Sequence, residues 1–133
     1  MSTYTLDTSL MRETWAALSP IVRGYVATAM WTLTDEDGDS LDYLGLHDIA
    51  PATLRQAEDD CSHFLTVADR HGLTLDTDTE RIGHDFWLTR NRHGAGFWDG
   101  DYTKRDGDIL TEVAHAMGSA EWYVGDDGLV YQY

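Results

Sequence analysis

The chain has 133 residues, one cysteine and a formal net charge of −15, from 9 Lys+Arg against 24 Asp+Glu. That length suits a single domain over 1–133, and 42% hydrophobic residues supply a core that a disordered chain lacks. The charge disfavours direct contact with nucleic-acid phosphates, and Cys61 alone makes neither an internal disulfide nor a thiolate metal cluster.

The N-terminal residues Met1 to Asp7 lack the basic and then apolar pattern of a secretory signal. No run of about 18 apolar residues follows, so no membrane span is expected. These features predict a cytoplasmic protein. Ser9 to Leu18 predicts a short helix with Leu10, Met11, Trp15 and Leu18 on one side. Ser19-Pro20 restarts a helix, with Ser at the N-cap and Pro at the first helical position. Ile21, Val22, Tyr25, Val26, Ala29 and Leu33 recur at helical spacing and carry it to about Trp31 or Thr32.

Thr34 to Asp42 is an acidic loop, with Asp35, Glu36, Asp37, Asp39 and Asp42 and no basic residue among them. Its alternating Asp spacing is similar to that of a calcium-binding EF-hand loop. The pattern departs where that loop needs Gly and a bidentate Glu, because Ser40 and Leu46 stand there. A solvated loop or an acidic contact surface is the preferred reading.

Asp48-Ile49-Ala50-Pro51 opens a long helix with Leu54, Ala57, Cys61, Phe64, Leu65 and Ala68 on its buried stripe, and Gly72 stops it. Cys61 on that stripe reads as a small core residue rather than a nucleophile. Thr77-x-x-Glu80 has the pattern of a capping box before a short turn.

His84 to Asn91 alternates, with His84, Phe86, Leu88 and Arg90 on one side and Asp85, Trp87, Thr89 and Asn91 on the other. A period of two with aromatic residues predicts a half-buried strand launched by Gly83. Arg92-His93-Gly94 would form the turn, and Gly94 to Asp99 would return as the second strand. A two-residue loop and a three-residue loop with a bulge remain alternatives, and they place opposite faces of the second strand inward. Trp87 and Trp98 beside Gly94 and Gly96 would either enter the core or form an aromatic shelf. His84, Asp85 and Asp99 are the candidate metal ligands or acid–base groups of this region. In a strand, however, His84 and Asp85 would face opposite ways, so at most one would join any site.

A polar turn through Asp101, Lys104, Arg105 and Gly107 precedes a helix over Asp108 to Met117, stopped by Gly118. The tail from Glu121 to Tyr133 predicts a hairpin with Asp127-Gly128 at its turn. The expected architecture is therefore α+β: an antiparallel sheet of two β-hairpins packed against three to four helices in two layers.

The segments His84-Asp85-Phe86-Trp87-Leu88-Thr89-Arg90-Asn91 and His93-Gly94-Ala95-Gly96-Phe97-Trp98-Asp99 resemble a motif of small hypothetical proteins of bacteriophages and prophages. The resemblance extends to Trp31 with Thr34 to Gly38, to Leu110-Thr111-Glu112, and to Tyr123 to Gly128. Arg92 departs from the small turn residue, such as Gly, expected at its position. The resemblance implies a phage-type origin and no particular chemistry.

Charge and origin together predict a protein-binding module. It would occupy a basic protein surface, as a DNA-mimic-like inhibitor of a host restriction or CRISPR-type complex. Asp35, Glu36, Asp37, Asp39, Asp42, Asp126 and Asp127 are its candidate contacts, and no cofactor is expected. The alternatives are a small metal-dependent enzyme using His84, Asp85 and Asp99, or a scaffold whose acidity serves only solubility or salt tolerance.

Overall fold

The computed structural model describes residues 15–34, 37–40, 44–76, 79–98 and 102–133. Among them the chain is α+β. Residues 15–17 are helical, and four further α-helices, α1 (Pro20–Thr32), α2 (Pro51–Arg70), α3 (Arg81–Arg90) and α4 (Lys104–Ala116), precede one hairpin of β1 (Trp122–Val124) and β2 (Val130–Gln132). A 3-10 turn, Leu46–Asp48, leads into α2.

Pro20 begins α1 at its first position after an extended Ser19. The helix is buried nearly all round, through Ile21, Val22, Gly24, Tyr25, Val26, Thr28, Ala29 and Met30. A helix apolar on every side belongs inside a core. Its main neighbour is α3, and two glycines set their separation. A Cβ on Gly24 would lie 1.9 Å from the Glu80 carbonyl oxygen, and one on Gly83 would lie 1.8 Å from that of Ile21. The backbones meet at distances only glycine permits.

The strand expected over His84–Asn91 is instead helix α3, and Gly83, expected to launch that strand, lies inside the helix. Eight of its ten residues are buried: Ile82, Gly83, Asp85, Phe86, Trp87, Leu88, Thr89 and Arg90. Where every face is covered, alternation between two faces carries no information about the period. The return strand is absent too, since 91–98 forms turns and bends.

The end of α3 explains Arg92. Arg92 takes a left-handed φ of 57°. Its N–H bonds to the Thr89 carbonyl at 3.1 Å, and the His93 N–H bonds to that of Leu88 at 2.9 Å. This pair of bonds is the Schellman termination, in which Gly is the usual residue at the left-handed position. The departure noted in the sequence is therefore an arginine at a helix stop, and not at a hairpin turn. The end of α2 follows the same pattern with Gly72 at φ 79° and Leu73 bonding to Ala68 at 3.2 Å.

Helix α2 buries the single stripe Thr53, Ala57, Cys61, Phe64 and Ala68. Helix α4 starts four residues before the expected Asp108, because the Thr103 side chain accepts the Asp106 N–H. The hairpin pairs Trp122 with Gln132, Tyr123 with Tyr131 and Val124 with Val130. It is tied to the start of α2 by the Ala50 N–H, which donates to the Val130 carbonyl at 3.0 Å.

Aromatic rings fill the centre. Tyr25 meets Phe86 at 5.3 Å and Trp87 edge-on at 5.1 Å, and Phe64 stacks on Phe86 at 4.3 Å. Trp87 donates its indole N–H to the Thr32 hydroxyl at 2.8 Å, so burying it leaves no polar atom unpaired.

Candidate functional site

Residues of α1 and α3 line an open cleft of about 570 Å³: Gly24, Ala27, Thr28 and Trp31 from α1, and Arg81, His84 and Asp85 from α3, with Glu80 just before it. The helical backbone overturns the expectation that His84 and Asp85 face apart. Successive side chains on a helix are about 100° apart rather than opposed, and His84 Nδ1 lies 3.0 Å from Asp85 Oδ1. Asp85 is buried and also accepts the Tyr102 hydroxyl at 3.2 Å. His84 is half-exposed beside Trp31, with ring centroids 6.2 Å apart. A buried carboxylate thus orients an imidazole that reaches the cleft. Glu80, on the rim, is 3.6 Å from Arg23.

Asp99, the third candidate ligand, lies outside the described residues, as do Asp35, Glu36 and Asp42. Among the described residues no group of three or more His, Cys, Asp or Glu is arranged to hold a metal ion. Cys61 is fully buried, and burial pushes its thiol well above the usual range. That is the state of a core residue and not of a nucleophile. Among the described residues no helix is long and apolar enough to cross a membrane.

Trp87 and Trp98 do not form a shelf, because Trp87 is fully buried while Trp98 is 46% exposed. Asp37 and Asp39 are exposed in a loop closed by a Thr34–Ser40 bridge. The Ser40 hydroxyl bonds back to the Trp31 carbonyl at 3.0 Å, which anchors the loop at the C-terminal end of α1. That end of a helix dipole disfavours carboxylates, so stabilising α1 does not account for the acidity there.

Asp126 and Asp127 are exposed at the hairpin turn. Asp127 accepts the Tyr131 hydroxyl and, at 3.0 Å, the Leu129 N–H. These bonds, that from Tyr131 foremost, hold its carboxyl below the usual range.

Sequence reasoning missed two groups. One is the buried Arg90, which bonds Tyr25, Asp60 and the carbonyls of Met117 and Gly118. An arginine at the end of a segment read as an amphipathic strand gave no sign of burial. The other is the row of Tyr123, Tyr131 and Tyr133 on the outer face of the hairpin. Its signal was present in the period of two from Tyr131 to Tyr133 opposite Tyr123. No protein-family model, curated protein or solved structure matches the chain.

Proposed function

We propose that the chain is a protein-binding module that docks its carboxylates on a basic surface, one that otherwise holds nucleic acid, and thereby inhibits a nucleic-acid-handling protein. The observation that carries the reading is the charge of −15, spread over exposed carboxylates on separate elements. They include Asp37 and Asp39 in the loop after α1, Glu58, Asp59 and Asp69 on α2, and Asp126 and Asp127 on the hairpin. Such a surface steers association with a basic partner and excludes competing anions from it. The resemblance of the 84–99 segment to bacteriophage proteins supports a host restriction or CRISPR-type complex as that partner.

Displacement tests it. Proteins of a bacterial extract retained on DNA–cellulose are challenged with the chain or with poly-glutamate of equal charge. Release of particular proteins by the chain alone is expected. Identical release by both, or none by the chain, contradicts the reading and leaves acidity as a solubility feature.

A second reading rests on the 3.0 Å contact of His84 with Asp85 in the cleft. There His84 would be a general base and Asp85 the group that orients it. Turnover of bis-p-nitrophenyl phosphate and p-nitrophenyl acetate, compared between wild type and His84→Gln, tests this, and equal rates sink it.

A further inference from the structure

The outer face of the C-terminal hairpin carries three tyrosines in contact. Tyr123 lies 5.7 Å from its cross-strand partner Tyr131 and 4.3 Å from Tyr133, ring centroid to ring centroid. The inner face of the same two strands is spent on the core through Trp122 and Val130. The outer rings face solvent: Tyr123 is 37% and Tyr133 80% exposed. Cross-strand aromatic pairing stabilises a hairpin, and here it leaves ring faces open to solvent. Tyrosine is also the side chain that offers the most rigid, amphipathic contact area at an interface.

The rings are joined to acid. Asp127 accepts the Tyr131 hydroxyl, Asp126 is its exposed neighbour, and Glu121 is exposed beside β1. No Lys or Arg follows Arg105 in the sequence, so no cation within the hairpin neutralises this end. Aromatic faces bordered by carboxylates are complementary to one side chain above others. A guanidinium stacks flat on a ring and bonds a carboxylate through two N–H groups, whereas an ammonium does neither as well. The same carboxylates repel phosphate, which disfavours nucleic acid and anionic membranes as occupants.

We infer that the face formed by Tyr123, Tyr131 and Tyr133 with Asp126 and Asp127 is a docking surface for arginine side chains of a basic protein partner. This rests on the proposed binding function and names the part of the surface that does more than attract charge.

The test is calorimetric titration of the full chain with octa-arginine and octa-lysine at matched ionic strength. The variants are Tyr133→Leu and the pair Tyr123→Leu with Tyr133→Leu. Tyr133 is too exposed for its loss to unfold the chain, and a thermal melt checks the double variant. The expected result is tighter binding of octa-arginine by wild type, with each lost ring weakening it about two- to fivefold. The double variant should then bind both peptides alike. Equal affinities in wild type, or an arginine preference that survives in the double variant, overturns the inference and leaves the acidic reading standing. Failure of both peptides to bind overturns both. A wild-type dimer in sedimentation that the double variant dissolves also overturns the inference, because the face would then be a self-contact.

Discussion

Arg90 donates from Nη1 to Oδ2 of Asp60 at 2.8 Å, with side chains 4% and 15% exposed. The same guanidinium bonds the Tyr25 hydroxyl at 3.0 Å and the carbonyls of Gly118 and Met117 at 2.8 and 3.2 Å, and it lies 5.2 Å over the Phe86 ring. One side chain therefore ties α3 to α1, to α2 and to the end of α4, where its charge also suits the helix dipole. Burial works against the charge on Arg90, and Tyr25 and Asp60 more than offset it, so its pKa is raised.

Losing Arg90 strands several buried groups at once. Arg90→Met should lower unfolding stability by about 3–5 kcal/mol. Asp60→Asn should cost less, about 1–3 kcal/mol, because Arg90 keeps its three other partners. Urea denaturation of both variants checks the order, and equal losses would mean that the Asp60 contact alone accounts for the role of Arg90.

The meeting of α1 and α3 predicts a glycine requirement that helix propensity alone would not. Gly83→Ala adds about 1 kcal/mol of propensity but drives a Cβ into the Ile21 carbonyl. Overpacking of this kind costs about 1–3 kcal/mol, so the variant should be destabilised in a chemical melt. A stabilised variant would show that the helices lie farther apart.

The segment that begins with Gly83 shows where the sequence was readable and where it was not. Ser19-Pro20, Pro51, Gly72, Gly118 and Asp127-Gly128 act through local backbone chemistry, and each marks an element end or turn near its expected place. Residues 84–91 lack that local signal. Their pattern is the product of burial on all sides, and burial is set by α1, α2 and α4 together. Reading the segment as a strand also separated His84 from Asp85, so the cleft could not be anticipated. The acidic residues were legible as charge from the sequence alone, and Asp37, Asp39, Asp126 and Asp127 are exposed. The burial of Arg90 was not legible, because its partners lie 27 to 65 residues away in sequence.

Arg92 offers a stabilising change. A non-glycine residue at a left-handed φ costs about 1–2 kcal/mol, and glycine's greater freedom in the unfolded chain returns part of that. Arg92→Gly should raise stability by about 0.5–1 kcal/mol, read as a shift in the urea midpoint. A loss would show that the arginine side chain itself contributes more than its backbone strain removes.

Burial raises the pKa of the Cys61 thiol and the Tyr25 phenol above their usual ranges. The unfolded chain then releases these protons at lower pH than the folded one. Their contribution is fully present below the unfolded values and falls as pH rises through them. Stability should decline from about pH 9 for the thiol and from about pH 10 for the phenol, each by up to about 1.4 kcal/mol per pH unit. Cys61→Ala should remove the first part of that decline at a constant offset for the lost sulfur. An unchanged alkaline profile would assign it to other groups.

The central claim is that the acidic surface and nucleic acid compete for one basic site. A protein released by the chain from DNA–cellulose can be purified and titrated with labelled DNA, with the chain, and with both, across a range of salt. The account predicts that each ligand excludes the other, with no ternary complex, and that affinity for the chain falls steeply as salt rises. A stable ternary complex, or an affinity indifferent to salt, would contradict it.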